Sequence, residues 1–72
     1  MPKLYSSNHI IKILQKKGFK FISCKGSHIK MRKIAHPVIN TIIPANKKEI
    51  PYGTFKAILL QTKLNEKDFN NN

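Results

Sequence analysis

The run Phe19-Lys20-Phe21-Ile22-Ser23-Cys24-Lys25 leads into Gly26-Ser27 and then into His28-Ile29-Lys30-Met31-Arg32-Lys33. Two strand-like runs flanking two turn residues read as a β-hairpin. Glycine at the first central position is what a type II′ turn requires, because φ must be positive there. That turn sets an expected register: Lys25 opposite His28, Ser23 opposite Lys30 and Phe21 opposite Arg32. Side chains alternate along a strand, so Ile22, Cys24, Ile29 and Met31 are expected on one face, suited to a core. Phe21, Ser23, Lys25, His28, Lys30 and Arg32 are expected on the other. The hairpin therefore has one apolar face and one cationic face that carries a histidine.

The residues on either side supply the cover for the apolar face. Upstream, Ile10, Ile11, Ile13 and Leu14 recur at helical spacing with Lys12, Gln15, Lys16 and Lys17 outward, which predicts a helix over about 7–17. Ser6 or Ser7 is placed to cap it and Gly18 to end it. With Ser6 as cap, Tyr5 and Ile10 stand at the positions of a hydrophobic staple. Downstream, Ile34 to Pro37 read as a short connection, and Val38-Ile39-Asn40-Thr41-Ile42-Ile43 as a β-branched third strand stopped by Pro44. After a polar loop, a second helix is expected over about 51–62, with Phe55, Ile58, Leu59 and Thr62 on one face. Asn65 with Glu66-Lys67-Asp68-Phe69 adds a capped turn, and Asn70 to Asn72 a fraying tail. The order α-β-β-β-α predicts an α+β fold: a three-stranded antiparallel sheet with both helices on its apolar face. That layout is similar to the double-stranded-RNA-binding domain.

Composition narrows the function. A chain of 72 residues buries only about 60% of its unfolded surface and holds a single core, so residues 1–72 are read as one domain. Fourteen Lys and Arg against 3 Asp and Glu give a net charge of +11. All three carboxylates, Glu49, Glu66 and Asp68, lie after residue 48, whereas only Lys56, Lys63 and Lys67 of the basic residues do. The excess charge thus belongs to the first two thirds of the chain. A surface of one sign attracts polyanions and releases their counterions, so nucleic acid is the expected partner. A codon bias toward Lys, Ile and Asn is the alternative reading of the lysine count, but it does not account for the missing acids. The longest apolar stretch, Ala57-Ile58-Leu59-Leu60, is far below the ~18 residues of a membrane span, and no leader peptide pattern opens the chain. A lone Cys24 and scattered His9, His28 and His36 match neither a disulfide framework nor a zinc finger. These features lead us to expect a cytoplasmic protein with no membrane partner.

The chemistry expected follows from what is present. Three carboxylates, none before residue 49, are a poor set for holding two catalytic metal ions, so no metal and no small-molecule cofactor is expected. RNA carries its own nucleophile, the 2′-hydroxyl, and can be cut once a base takes its proton and cations stabilise charge on the phosphorane. An imidazole, which titrates near ~6.5, suits the first task. His28 with Lys25, Lys30 and Arg32 supplies both kinds of group. Ser27 lies in the turn beside them, and Phe21 on the same expected face is placed to stack on a base. Cys24, on the expected core face, reads as an inert thiol. His9 and His36 read as structural or exposed.

Gly18-Phe19, Lys25-Gly26-Ser27-His28, Ile42-Ile43-Pro44 and Gly53-Thr54-Phe55-Lys56-Ala57-Ile58-Leu59 resemble, in order and spacing, the HicA mRNA interferase toxin family over about residues 3–69. The resemblance implies a bacterial toxin of a type II toxin–antitoxin system that cleaves mRNA, with His28 as its essential residue and a HicB-type antitoxin as its inhibitor. Many relatives place a second His shortly after the proline that closes strand three, whereas this chain has Pro44-Ala45-Asn46, so the second proton-transfer group is left unassigned. Two other classes stay open at this point: a non-catalytic RNA-binding module, and a decayed toxin that keeps only its antitoxin contact.

Overall fold

The computed structural model describes residues 3–70. The elements are α1 (Ser7–Lys16), β1 (Lys20–Lys25), β2 (His28–Lys33), β3 (Ile39–Pro44), α2 (Tyr52–Thr62) and α3 (Glu66–Asn70). The expected α-β-β-β-α order holds, with α3 as the terminal turn. Of the expected fraying tail, Asn71 and Asn72 lie outside the described residues.

Each end of α1 follows from its own residues. Ser6 caps it by accepting the N–H of His9 at 3.1 Å. Tyr5 and Ile10 are both buried as the staple. At the other end Gly18 takes φ of 98°, the Phe19 N–H reaches the Leu14 carbonyl at 2.9 Å and the Gly18 N–H reaches that of Gln15. This is a Schellman motif, and it turns the buried Phe19 back onto Leu14 before β1 begins. Lys17 is the cap, so the helix ends one residue earlier than expected. Pro51 likewise serves as the N-cap of α2 instead of its first helical residue.

The sheet has the order β1-β2-β3, antiparallel throughout. Gly26 has φ of 58° and Ser27 a negative φ, consistent with the II′ turn, and Lys25 faces His28 and Ser23 faces Lys30 as expected. Beyond that the register departs. A bulge at Ile22 shifts the pairing so that Phe21 faces Met31 and Lys20 faces Arg32. One extra residue on one strand reverses which face every residue before it occupies.

The core unites the inner face of β2 and β3 with the helices: Met31 and Ile43 lie among Tyr5, Ile10, Ile13, Leu14, Phe19, Ile50, Phe55, Ile58 and Phe69. Two residues expected there are outside it, since Ile22 is 42% exposed and Cys24 is exposed. The cause is where the helices sit. Their contacts with the sheet concentrate on β3, and α2 lies against that strand's free edge, where Gln61 Oε1 accepts the Ile42 N–H at 3.4 Å and the Thr41 hydroxyl at 2.6 Å. A helix placed there covers an edge that would otherwise present unpaired backbone groups, and β1 on the far side goes without cover. β3 itself runs one residue later than expected: Val38 is left out, 45% exposed, and Pro44 ends the strand opposite His28.

Two polar clamps hold the helices down. Ser7, 1% exposed, donates its hydroxyl to the Pro44 carbonyl at 2.6 Å and accepts the Lys47 N–H at 2.9 Å, while its own N–H bonds the Lys47 carbonyl. Removing that hydroxyl leaves a part-buried acceptor and donor without partners. Ser7→Ala should therefore lower stability by about 1–3 kcal/mol, read as a fall in the urea midpoint at unchanged m value.

The second clamp is Asp68, which accepts the Asn65 N–H at 2.8 Å and pairs with Lys17 at 3.2 Å, tying α3 to α1. These contacts hold its carboxyl below its ordinary pKa, the Asn65 N–H first and Lys17 second. The folded state thus binds this proton less tightly than the unfolded chain does. The tether is in place above the usual carboxylate value of ~3.9 and is lost as pH falls through the lower folded value. In an NMR titration the Phe69 ring resonances should move toward unfolded positions in that acid range, and Asp68→Asn, which cannot titrate, should remove the step.

Candidate functional site

Directly opposed residues share a face, so the register lays out the open side of the sheet as three cross-strand rows: Lys25, His28 and Pro44; Ser23, Lys30 and Ile42; Lys20, Arg32 and Asn40. Burial of Met31 and Ile43 on the other side, both 0% exposed, is what turns these residues outward. Lys25 and His28 are direct neighbours, with Cβ atoms about 5 Å apart for such pairs. Lys30 follows His28 by two residues, about 7 Å along the strand, and Arg32 by four, about 14 Å. Arg32 is also held at its own end of the sheet, donating Nε–H to Asn40 Oδ1 at 2.8 Å. The structure thus brings together His28, Lys25 and Lys30, and sets Arg32 apart.

Phe21 does not join this face. The Ile22 bulge puts it opposite Met31, where it is 54% exposed beyond the reach of the helices. The same bulge adds Lys20, which the alternation pattern alone had missed. Ser27 is exposed in the turn next to His28, and its carbonyl accepts the Ala45 N–H at 2.7 Å, fastening the hairpin tip to the chain leaving β3. His9 is structural: its Nε2 is 2.7 Å from the Phe69 carbonyl and its ring stacks on Tyr5. His36 is exposed in the β2–β3 connection. Asn46 has φ of 58°, a conformation that Asn tolerates, and it does not line the surface around His28.

No carboxylate occurs between residues 20 and 44, so the three rows carry positive charge without compensation. The acids lie elsewhere. Asp68 pairs with Lys17, the one ion pair among the described residues. Glu66 accepts the Tyr52 hydroxyl at 2.8 Å, and that hydrogen bond, which only the protonated phenol can donate, raises its pKa, with burial and the Glu66 charge adding to it. No three His, Cys, Asp or Glu side chains gather into a metal-binding group among the described residues, and no helix there is long and apolar enough to cross a membrane.

Where α2 overhangs β3, a cleft opens beside His28. His28, Ile42 and Pro44 form its sheet wall, and Gly53, Thr54, Ala57 and Gln61 of α2 face them over Ile58. Thr54 and Gln61 were not read as site residues from periodicity, which marks only the buried side of a helix. The available signal was that both are polar and lie off the Phe55, Ile58, Thr62 stripe.

No curated protein matches the chain. A family model described as HicA toxin of bacterial toxin–antitoxin systems matches residues 7–64. That span runs from the first residue of α1 through all three strands and α2, and so takes in the cationic rows, the cleft and the clamp at Ser7. Covering most of the 72 residues, the match establishes that this chain belongs to the HicA toxin family of bacterial toxin–antitoxin systems.

Proposed function

We propose that the protein is a metal-independent endoribonuclease that cuts mRNA in the cytoplasm and is held inactive by a HicB-type antitoxin. The observation that carries this reading is a single exposed histidine in a cationic, acid-free array on an open sheet face, with a cleft at its side.

The chemistry follows from RNA itself. The His28 imidazole takes the proton of a 2′-hydroxyl, and the freed oxygen attacks the adjacent phosphorus. The P–O5′ bond breaks, the leaving 5′-oxygen takes a proton from solvent water while the His28 imidazolium returns its own to solvent, and the products are a 2′,3′-cyclic phosphate and a 5′-hydroxyl. Negative charge accumulates on the non-bridging oxygens in between. Lys25 across the strand and Lys30 two residues along are placed to stabilise it, with the Ser27 hydroxyl next to them in the turn. Arg32 and Lys20, a further row away, suit a neighbouring phosphate. Phe21 has no part in this arrangement.

The same bare positive face favours the antitoxin. A partner with acidic groups associates faster with a surface of opposite charge and, once seated, excludes RNA from His28.

Purified protein incubated with end-labelled mRNA in EDTA should generate new 5′-hydroxyl ends. His28→Ala should cut about 10²–10⁴-fold more slowly with stability within about 0.5 kcal/mol of the parent, since the side chain is exposed. Undiminished cutting by that variant would falsify the assignment. Intact RNA with a retarded band from the parent protein would instead identify a non-catalytic RNA-binding module.

Binding should weaken steeply with salt. Lys25→Gln and Lys30→Gln should each reduce the slope of log K against log salt by about 0.7, the value for one contact to single-stranded nucleic acid.

A further inference from the structure

The cleft beside His28 has a volume of about 440 Å³, within the ~300–1,000 Å³ usual for small-ligand sites. Its floor is aliphatic and its rim polar, and the polar groups are not interchangeable. Gln61 uses its amide oxygen for the Ile42 N–H and the Thr41 hydroxyl. A backbone N–H is only ever a donor, so the atom facing Ile42 must be the oxygen, and the amide nitrogen is left with two N–H donors for other partners. Among the described residues the open face meanwhile carries no Phe, Tyr or Trp, because Phe21 lies on the other side of the sheet. A base attached to a ribose at His28 has this cleft as its neighbouring concave surface.

We propose that the cleft is a nucleobase subsite, in which the base beside the phosphate at His28 rests on Ile42, Pro44 and Ala57 and presents hydrogen-bond acceptors to Gln61. The inference rests on the ribonuclease reading and adds base recognition to it. Keto oxygens of guanine and uracil are acceptors, whereas the exocyclic amino groups of adenine and cytosine are donors. All four bases also carry ring acceptors, so it is a base seated with this exocyclic edge toward Gln61 whose keto oxygen the amide donors favour. The Thr54 hydroxyl, able to donate or accept, discriminates less.

The test uses filling and inversion of the cleft. Gly53 lines it, and a Cβ built there meets no atom within 4 Å, so a side chain can start there without a clash at Cβ, and Leu improves helix propensity. Ala57→Leu fills the cleft from the next turn. Gln61→Glu retains an oxygen for Ile42 and Thr41 but replaces the donors with an acceptor. The parent should cut next to guanine or uracil with about tenfold preference. Gly53→Leu and Ala57→Leu should melt no lower than the parent, lose tenfold or more in kcat/KM and cut without base preference. Gln61→Glu should abolish the guanine and uracil preference. Parent-like rates and preferences in both filled variants overturn the proposal. So does loss of antitoxin capture with RNA cutting unchanged, which assigns the cleft to the protein partner.

A second arm does not depend on cleavage. RNA hexamers differing in one base are titrated against His28→Ala protein with and without Gly53→Leu. A keto preference that disappears in the filled variant supports the subsite even where the parent cuts no RNA and the ribonuclease reading fails. Equal affinities for all four bases overturn it.

Discussion

Strict alternation along β2, pinned by the burial of Met31, is the constraint from which the rest of this molecule follows. Met31 sits under the helices beside Ile43 with no solvent contact. Burying a side chain of that size favours the fold by about 1.5–3 kcal/mol, and slipping the strand by one residue would exchange it for Lys30 or Arg32. Such a slip would place an unpaired cation in an apolar layer, at a cost well beyond the hydrophobic gain. The core thus determines the register, and the register alone turns His28, Lys30 and Arg32 to the open side. The stabilising face and the reactive face are two consequences of one period.

The second element of the site is the position of α2. A helix laid squarely over the middle of the sheet would leave the β3 edge bare and the His28 side flat. Here Gln61 caps the outward Ile42 N–H, α2 shields the edge, and its exposed side becomes the far wall of a cleft. The end of β3 is held in turn by Ser7, whose hydroxyl grips the Pro44 carbonyl from the start of α1. Pro44 stands directly opposite His28. The histidine is therefore located by two separated parts of the chain, although it is itself exposed and makes little contribution to the core.

How much of this was legible in the sequence depends on how local each cause is. The II′ turn rests on Gly26, the cap of α1 on Ser6, and its end on Gly18, all within a few residues of where they act, and these expectations hold in the structure. The pairing of Lys25 with His28 and of Ser23 with Lys30 holds for the same reason, since two or three residues from a turn the geometry has not yet changed. Phe21 lies one step further out, and there the expectation fails. No residue between Phe21 and Ser23 signals a bulge, because Ile22 is as good a regular strand residue as it is a bulged one. Ile22 is the bulged residue itself, and Cys24 reads as core for a different reason: alternation identifies which side of the sheet a residue faces, not whether a helix reaches that far across it.

The sequence by itself determined the element order, the hairpin turn, the one-sided distribution of charge and the presence of a lone histidine in a basic strand, since each is written in neighbouring residues and in composition. Tertiary structure alone decided that α2 would overhang the β3 edge, that β1 would be left uncovered, and that Gln61 and Thr54 would stand across a cleft from His28. Those placements come from packing between segments distant in the chain, where the deciding quantity is the fit of one surface against another and no local pattern records it.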